Sequence, residues 1–373
     1  MNSKEISNIV RLWKEIEKDG TPSVLATLVQ VSGSHYRRPG ARMLITGDGR
    51  TAGSISGGCL ESDLRERAFR IMKSRDAELV RYDTTTDEDL LLGTGMGCGG
   101  IVDLLLESTG SDSVVKFMRH LVLCWQHRQR MGVATIYRVL NCCDMQVGDK
   151  LFYNFENTPT TTFGNVELRE RVIADLEMVM SSGKPSHKSY PVATGIAEVF
   201  LECTRPPVSL LLLGAGDDAV PIVGMAKSLG WQVTLVDHRN EFLQSGRFPE
   251  ADRLVSAHTE NLNESISIDS FDAAVIMTHN YFRDRELLRK LLGSKLKYFG
   301  LLGASKRAER MLDDLRMDGI KMTNQQLARL RAPVGLDLAA EGPHEIALSI
   351  LSEIQCALAG GTGRSLRDLQ GKL

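Results

Sequence analysis

The stretch from Val208 to Arg239 constrains the fold more than any other part of the chain. An aliphatic run, Val208 to Leu213, ends on a Gly-Ala-Gly turn, and apolar residues at helical spacing follow it. A second apolar run closes on Asp237, about twenty residues beyond the glycines, where a dinucleotide fold places the acid that binds a ribose hydroxyl. This order of strand, tight turn, helix and strand predicts a Rossmann-type unit.

The turn itself follows the pattern G-x-G-x-x-A. Gly214 allows the sharp exit from the strand, Gly216 lets backbone approach a phosphate, and Ala219 permits close packing of the helix on the sheet. Asp217 and Asp218 stand where a phosphate would lie, and their charges oppose one. Two interpretations therefore stay open: an occupied dinucleotide site, or a Rossmann scaffold kept for packing or for another ligand.

Further buried strands follow, and they place more polar residues at the same edge of the sheet. A strand from Phe271 to Met277 ends in Thr278-His279-Asn280. Because ligands bind beyond the carboxyl ends of parallel strands, we predict one cofactor-binding mouth in this domain. Its predicted residues are Gly214, Gly216, Asp217, Asp237, His279 and Asn280. For His279, a loop histidine with its hydrogen bonds satisfied is the alternative interpretation.

The first half of the chain repeats its own plan. Residues from about 20 to 107 and from about 114 to 202 show the same order of elements, with similar endings, IVDLLLES and GIAEVFLEC. The sequence therefore predicts an α/β protein: an internally duplicated N-terminal α+β domain, residues 1–205, and a C-terminal Rossmann-like domain with a parallel sheet, residues 208–373. Arg205-Pro206-Pro207 is the linker, since paired prolines continue neither a helix nor a sheet.

Cys59 is the strongest candidate for chemistry. It follows a strand and the pair Gly57-Gly58 at the predicted start of a helix, where backbone N–H groups and the helix dipole stabilise a thiolate and suit a phosphate. Such a thiolate could act as a nucleophile, a persulfide carrier or a soft metal ligand. A small buried hydrophobe is the alternative. The second repeat lacks this motif, so we assign the chemistry to the first.

Two further motifs accompany Cys59. Cys98 and Gly99 lie in a glycine-rich turn, MGCGG, which could serve a ligand or simply turn the chain. Arg37 and Arg38 precede a Pro-Gly pair and form a basic pair suited to a phosphate or carboxylate. A solvated loop is the alternative for these arginines.

Composition narrows the function classes. The 373 residues carry a formal net charge of -2 and no basic tract, so nucleic acid is not an expected partner. No run reaches membrane-spanning length, and the N-terminus is an amphipathic helix rather than a signal peptide, so we expect a cytoplasmic protein without membrane contact. Seven cysteines without a C-x-x-C pair argue against a disulfide framework or a zinc ribbon.

Several of these motifs together resemble the xanthine dehydrogenase accessory factor family, the XdhC/CoxI proteins. The resemblance rests on GSHYRRPGARM, GSISGGCLE, GCGG, LLGAGDDAVP, VDHR, MTHNYFRD, FGLLGASKR and APVGLDL, in this order from about Thr21 to near the C-terminus. The chain departs from many relatives in having Asp217 where they have His.

The resemblance implies a two-domain protein that binds molybdenum cofactor and delivers its sulfurated form to a xanthine dehydrogenase-type apoenzyme. Cys59 then contacts the molybdenum or its sulfur, while Arg37, Arg38 and the amides of Gly57 and Gly58 suit the pterin phosphate. A molybdopterin dinucleotide is one form of that cofactor. A cysteine desulfurase is a further partner suggested by the sulfurated form, and apolar helix faces suggest a homodimer.

Two other function classes remain beside this maturation factor. One is an NAD(P)-dependent oxidoreductase that uses the Rossmann crevice, with His279 as acid or base and Cys59 in support. The absence of a recognisable substrate-side Lys, Tyr or His pairing weighs against it. The other is a redox-sensing or purely scaffolding protein.

Overall fold

The computed structural model describes residues 3–33, 37–58, 60–83, 100–141, 145–154, 157–193 and 195–369. The chain divides into two compact units, Met1–Pro206 and Pro207–Leu373. No helix within the described ranges has the length and apolar character needed to span a membrane.

The first unit contains two antiparallel sheets of five strands each. The first sheet has the order β3-β2-β1-β5-β4 and the second has the order β8-β7-β6-β10-β9, so the strands are arranged identically. Strands of the first sheet are β1 (Ser23–Gly33), β2 (Arg42–Thr46), β3 (Thr51–Gly53), β4 (Glu78–Asp83) and β5 (Gly100–Ser108). Those of the second are β6 (Met131–Leu140), β7 (Lys150–Asn154), β8 (Asn157–Thr161), β9 (Ser186–Val192) and β10 (Gly195–Thr204).

Each sheet carries helices in equivalent positions. The helices are α1 (Ser3–Asp19) and α2 (Glu61–Ser74) in the first half and α3 (Asp112–Gln126) and α4 (Val166–Ser182) in the second. Apolar residues of α2 pack on the first sheet and those of α4 on the second. α1 and α3 share a core with residues from both sheets, which joins the halves.

The equivalence of the halves extends to single residues. β1 and β6 each carry one extra residue opposite their neighbours β5 and β10, at Val29 and at Tyr137. These two bulged residues form one small core with Leu105 of β5 and Phe200 of β10. Because a bulge is a specific local feature, its recurrence at matching positions confirms the predicted internal duplication.

Two buried ion pairs link the halves in a reciprocal manner. Lys150, the first residue of β7, donates to both oxygens of Glu107 on β5, at 2.6 and 2.8 Å. Arg42, the first residue of β2, donates to both oxygens of Glu202 on β10. Each base therefore belongs to one half and its acid to the other, and all four side chains are buried.

The second unit is built on a six-stranded parallel sheet with the order β13-β12-β11-β14-β15-β16. Its strands are β11 (Ser209–Leu213), β12 (Gln232–Asp237), β13 (Arg253–Ser256), β14 (Ala273–Ile276), β15 (Tyr298–Leu301) and β16 (Leu330–Arg331). Its α-helices are α5 (Ala219–Ser228), α6 (Leu262–Ser265), α7 (Tyr281–Leu292), α8 (Ser305–Met317), α9 (Asn324–Arg329), α10 (Pro343–Ala359) and α11 (Leu366–Leu369). One apolar core lies on each face of the sheet, which confirms the predicted Rossmann architecture.

Candidate functional site

The turn between β3 and α2 is fixed by two serines and one glutamate. Glu61 accepts hydrogen bonds from the Ser54 hydroxyl at 3.2 Å, the Ser56 amide at 3.1 Å and the Ser56 hydroxyl at 2.5 Å. The Ser56 oxygen in turn accepts from the amides of Gly58 and Leu60, at 3.3 and 3.1 Å. The turn is therefore held by side chains that its sequence motif does not single out.

The charge at this turn follows from the same contacts. Burial alone would raise the pKa of Glu61, but hydrogen bonds from the Ser56 hydroxyl and amide outweigh it and lower the pKa. Glu61 is thus an ionised carboxylate whose oxygens are already engaged. A Cβ on Gly57 or Gly58 would meet no atom of the described residues within 4 Å, so those residues leave space beside both glycines.

Three predicted site residues, Cys59, Cys98 and Gly99, lie outside the described residues. Their assignment stays a prediction. The described helix α2 begins at Glu61.

The two predicted arginines differ in their surroundings. Arg37 forms an ion pair with Glu5 of α1, with 2.5 Å between Nη2 and Oε2, and both side chains are largely buried. Arg38 is exposed. Because Arg37 already has an acidic partner, Arg38 is the better placed of the two to meet an anion from solution.

In the second unit, hydrogen bonds to the carboxylate of Asp237 stabilise the glycine turn after β11. The carboxylate accepts a hydrogen bond from the Ala215 amide at 2.8 Å and two from the Arg239 side chain, at 3.0 and 2.9 Å. The Arg239 amide donates to it as well, at 3.0 Å. Asp237 is 5% exposed, so these protein groups already use the oxygens that we predict to bind a ribose.

Asp237 is strongly acidic for the same reason. Burial would raise its pKa, but the hydrogen bonds from Arg239 and from the amides of Ala215 and Arg239 hold the pKa well below the usual range. The carboxylate therefore remains charged at all physiological pH values and stabilises the turn.

We expect Asp237→Asn to lower the free energy of unfolding of this unit by about 1–3 kcal/mol at neutral pH, because the charged hydrogen bonds to Arg239 and Ala215 are lost. Since folding lowers the pKa of Asp237, its contribution is complete above the unfolded-state pKa and disappears as the pH falls through the folded-state value. The difference between wild type and variant should thus shrink at acidic pH. Urea unfolding between pH 3 and pH 8 checks this, and a difference that grows on acidification would contradict it.

The two acids after the glycines are both paired. Arg247 donates to Asp217 at 2.6 Å, and the His279 Nε2 lies 2.8 Å from Asp218. A Cβ on Gly216 would lie 3.0 Å from Asp218 Oδ1, so this carboxylate stands close against the turn. The mouth thus carries paired acids where a dinucleotide phosphate is expected in such folds.

Asn280 is the N-cap residue of helix α7. Its side-chain oxygen accepts from the Arg283 amide at 3.1 Å and so caps α7. The preceding residue, His279, adopts a left-handed backbone with φ of 58°, which turns the chain from β14 into the helix. Both residues lie at the predicted edge of the sheet, and their role toward a ligand stays a prediction.

The structure gathers the predicted residues in two places. Arg37, Arg38, Gly57 and Gly58 belong to the first unit, and Gly214, Gly216, Asp217, Asp237, His279 and Asn280 belong to the second. Sequence reasoning missed Ser56, Glu61 and Arg247 as supporting residues, and only the VDHR motif signalled Arg239. Among the residues that the structure describes, no three His, Cys, Asp or Glu side chains form a group that could hold a metal ion.

These features define a two-unit α/β protein in which a duplicated antiparallel unit precedes a Rossmann unit. A family model described as "XdhC Rossmann domain" matches residues 210–354, and one described as "XdhC and CoxI family" matches residues 16–83. The chain is 32% identical to a probable xanthine dehydrogenase subunit of Bacillus subtilis, over 94% of this chain and 97% of the relative. The chain belongs to the XdhC and CoxI family.

Two other relatives are informative. The molybdenum cofactor insertion chaperone PaoD of Escherichia coli is 25% identical over 93% of this chain and 86% of its own. A crystal structure described as a xanthine dehydrogenase from Bacillus halodurans superposes with a TM-score of 0.77 at 25% identity and covers 99% of both chains. The fold described above is therefore that of a solved protein over essentially its whole length.

Proposed function

We propose that this protein is an accessory factor that holds molybdenum cofactor and delivers it to a xanthine dehydrogenase-type molybdoenzyme. The observation that carries the proposal is membership of the XdhC and CoxI family, together with similarity to a molybdenum cofactor insertion chaperone over 93% of the chain. An accessory role in molybdoenzyme maturation follows from this family. That the protein holds the cofactor and delivers it is what we propose in addition.

The turn before α2 supports a ligand site in the first unit. Its backbone is fixed by Ser56 and Glu61, while no described atom fills the space beside Gly57 and Gly58. A rigid turn with open glycines lets a ligand come close to the backbone without rearrangement. In the proposal, Cys59 supplies a thiolate to the molybdenum or its sulfur at this turn.

The phosphate of the pterin needs a cationic partner. Arg38 is exposed and Arg37 lies beside it with its charge directed to Glu5. We therefore assign the phosphate contact to Arg38 in the first place, with Arg37 fixing the loop through α1. The partners of the proposal are a xanthine dehydrogenase-type apoenzyme, a cysteine desulfurase and a second copy of this chain, and its location is the cytoplasm.

The test is cofactor retention. Protein purified anaerobically from a cofactor-producing host should contain molybdenum and an oxidised-pterin fluorescence signal, and Cys59→Ser should lose most of both, because a hydroxyl is a far weaker ligand for a soft metal centre than a thiolate. Metal analysis and pterin fluorescence on the same samples give the measurement.

Cys356→Ser is the matched control, since Cys356 is a free cysteine of the second unit. It should retain cofactor like wild type. A folded Cys59→Ser protein with an undiminished molybdenum and pterin content would remove Cys59 from the site. A wild type that contains neither would refute the carrier.

An NAD(P)-dependent oxidoreductase remains the alternative prediction. No contact within the described part of the Rossmann unit favours it, because Asp237 and the Ala215 amide are bonded to each other. A change in the absorbance spectrum during a titration with NADH would favour the oxidoreductase.

A further inference from the structure

A small cavity lies at the carboxyl ends of four neighbouring strands of the Rossmann unit, β11, β12, β13 and β14. The cavity has a volume of about 20 Å³, and the cleft around it, including space open to solvent, has about 310 Å³. Its polar lining consists of Asp237, His238, His258, Thr259, Thr278 and Arg283. Ligands of open parallel sheets bind at this edge.

The charge balance of this lining is positive. Asp237 is its only acid, and the carboxylate is already engaged by Arg239 and the Ala215 amide. No described carboxylate lies within ion-pair distance of the Arg283 guanidinium. The cavity thus presents a cation without a counter-charge from the described residues, which favours an anionic ligand.

Of the two imidazoles in the lining, that of His258 adds a further donor, because the Nδ1 of His238 already lies 3.0 Å from Asp237 Oδ1. The rings of His238 and His258 lie 5.7 Å apart between their centroids. Apart from that ring contact, no hydrogen-bond partner of the His258 imidazole is found among the described residues. Burial and then the charge of Arg283 lower the pKa of His238, against an opposing effect of Asp237, which agrees with a net positive surrounding.

Size decides which part of a ligand enters. A cavity volume of about 10–15 Å³ accommodates one water, so this cavity admits a compact group and no aromatic ring. The surrounding space, about 310 Å³ including space open to solvent, leaves room beside the cavity for the rest of a ligand. A compact anion attached to a larger organic part fits both volumes.

We propose that this cavity binds the phosphoryl group of a phosphate monoester. Arg283 donates from α7, His258 and Thr259 donate from the segment after β13, and the organic part of the ligand lies in the cleft. A tetrahedral dianion takes donors from several directions, as these separate elements provide, whereas a planar carboxylate does not need them. This inference goes beyond the proposed function, because it holds whether or not the protein carries molybdenum cofactor.

Calorimetric titration of the full chain tests it with four probes: inorganic phosphate, ribose 5-phosphate, adenosine 5′-monophosphate and, as the phosphate-free control, adenosine. The phosphate-bearing probes should bind and adenosine should not. Arg283→Gln should weaken binding about tenfold or more, as the loss of charge-assisted hydrogen bonds predicts. Arg289→Gln is the matched control, since Arg289 lies on the same helix and pairs with Glu286 in an exposed position.

Monoesters that bind more tightly than inorganic phosphate support a ligand with an organic part, and equal affinities support capture of the free anion through the same group. Absence of binding for every phosphate probe overturns the proposal, as does adenosine binding as tightly as its monophosphate. Circular dichroism establishes that each variant is folded. If Arg283→Gln does not fold, His258→Gln decides: several-fold weaker binding supports the site, and unchanged affinity overturns it.

Discussion

Replacing Lys150 by methionine should destabilise the first unit by about 3–5 kcal/mol, because the substitution leaves the Glu107 carboxylate buried without its partner. Both side chains of this pair are only 3% exposed. The Lys150 ammonium also donates to the Gly148 carbonyl at 3.2 Å, so the variant loses three hydrogen bonds at one point. A buried charge without a partner is among the most costly defects of a folded protein.

The double variant Lys150→Met, Glu107→Leu distinguishes the cost of an unpaired buried charge from the loss of the ion pair itself. It removes both charges and should recover most of the lost stability, since apolar residues of similar volume often replace a buried ion pair without loss. Lys116→Met is the control, because Lys116 pairs with Asp112 on the exposed surface of α3 and should change stability by about 0.5 kcal/mol or less.

Urea unfolding followed by circular dichroism and fluorescence gives the measurement. Trp13 and Trp125 lie in the first unit and Trp231 in the second, so the Trp231→Phe background reports on the first unit alone. A Lys150→Met protein that unfolds at the same urea concentration as Lys116→Met would contradict the prediction, as would a double variant less stable than the single one.

This pair also shows where sequence reasoning ends. The duplication is visible in sequence because both repeats keep the order of their elements and the endings IVDLLLES and GIAEVFLEC. The reciprocal pairing of Arg42 with Glu202 and of Lys150 with Glu107 is not visible, since the partners are 160 and 43 residues apart. Charged residues at strand ends are usually assigned to the surface, and only the packed structure shows them buried.

The edge strands β4 and β9 are not evident in the sequence for a related reason. β4 buries one of its six residues and β9 one of its seven, Val80 and Tyr190. An outer strand with a single buried side chain lacks the apolar run or the alternation that marks a strand in sequence. Their existence depends on pairing with β5 and β10, the strands that carry the two repeat endings.

At the candidate site, sequence locates the glycine turns but not what holds them. Gly57, Gly58, Gly214 and Gly216 belong to recognisable motifs, whereas the carboxylate of Glu61 is an ordinary helix-start acid until its three hydrogen bonds are seen. For Asp237, spacing alone predicts a ribose contact. The guanidinium that occupies it lies only two residues away, and spacing cannot show which of two possible partners an acid will take.

Gly214→Ala should be as damaging to the Rossmann unit as Lys150→Met is to the first unit. A Cβ at this position would lie 2.5 Å from the carbonyl oxygen of Met277 and 2.9 Å from the amide nitrogen of Thr278, both of them backbone atoms that cannot rotate away. The residue also has φ of 124°, a conformation essentially restricted to glycine. Relief requires β11 and β14 to move apart at the turn, where the Met277 amide donates to the Leu213 carbonyl at 2.8 Å.

We expect this variant to lose about 3 kcal/mol or more of the free energy of unfolding of its unit, from backbone strain and overlap together. Gly246→Ala is the matched control, because a Cβ at Gly246 would meet no atom within 4 Å in the part of the chain that the structure describes. The stability of this variant should change by about 0.5 kcal/mol or less. The fluorescence of Trp231, which is 3% exposed in the core of this unit, reports the transition. If both alanine variants unfolded at the same urea concentration, the close approach of Gly214 to the end of β14 would not be what makes glycine necessary here. If only Gly214→Ala unfolds at a lower urea concentration, packing between two strands requires the first glycine of the motif, independently of any ligand.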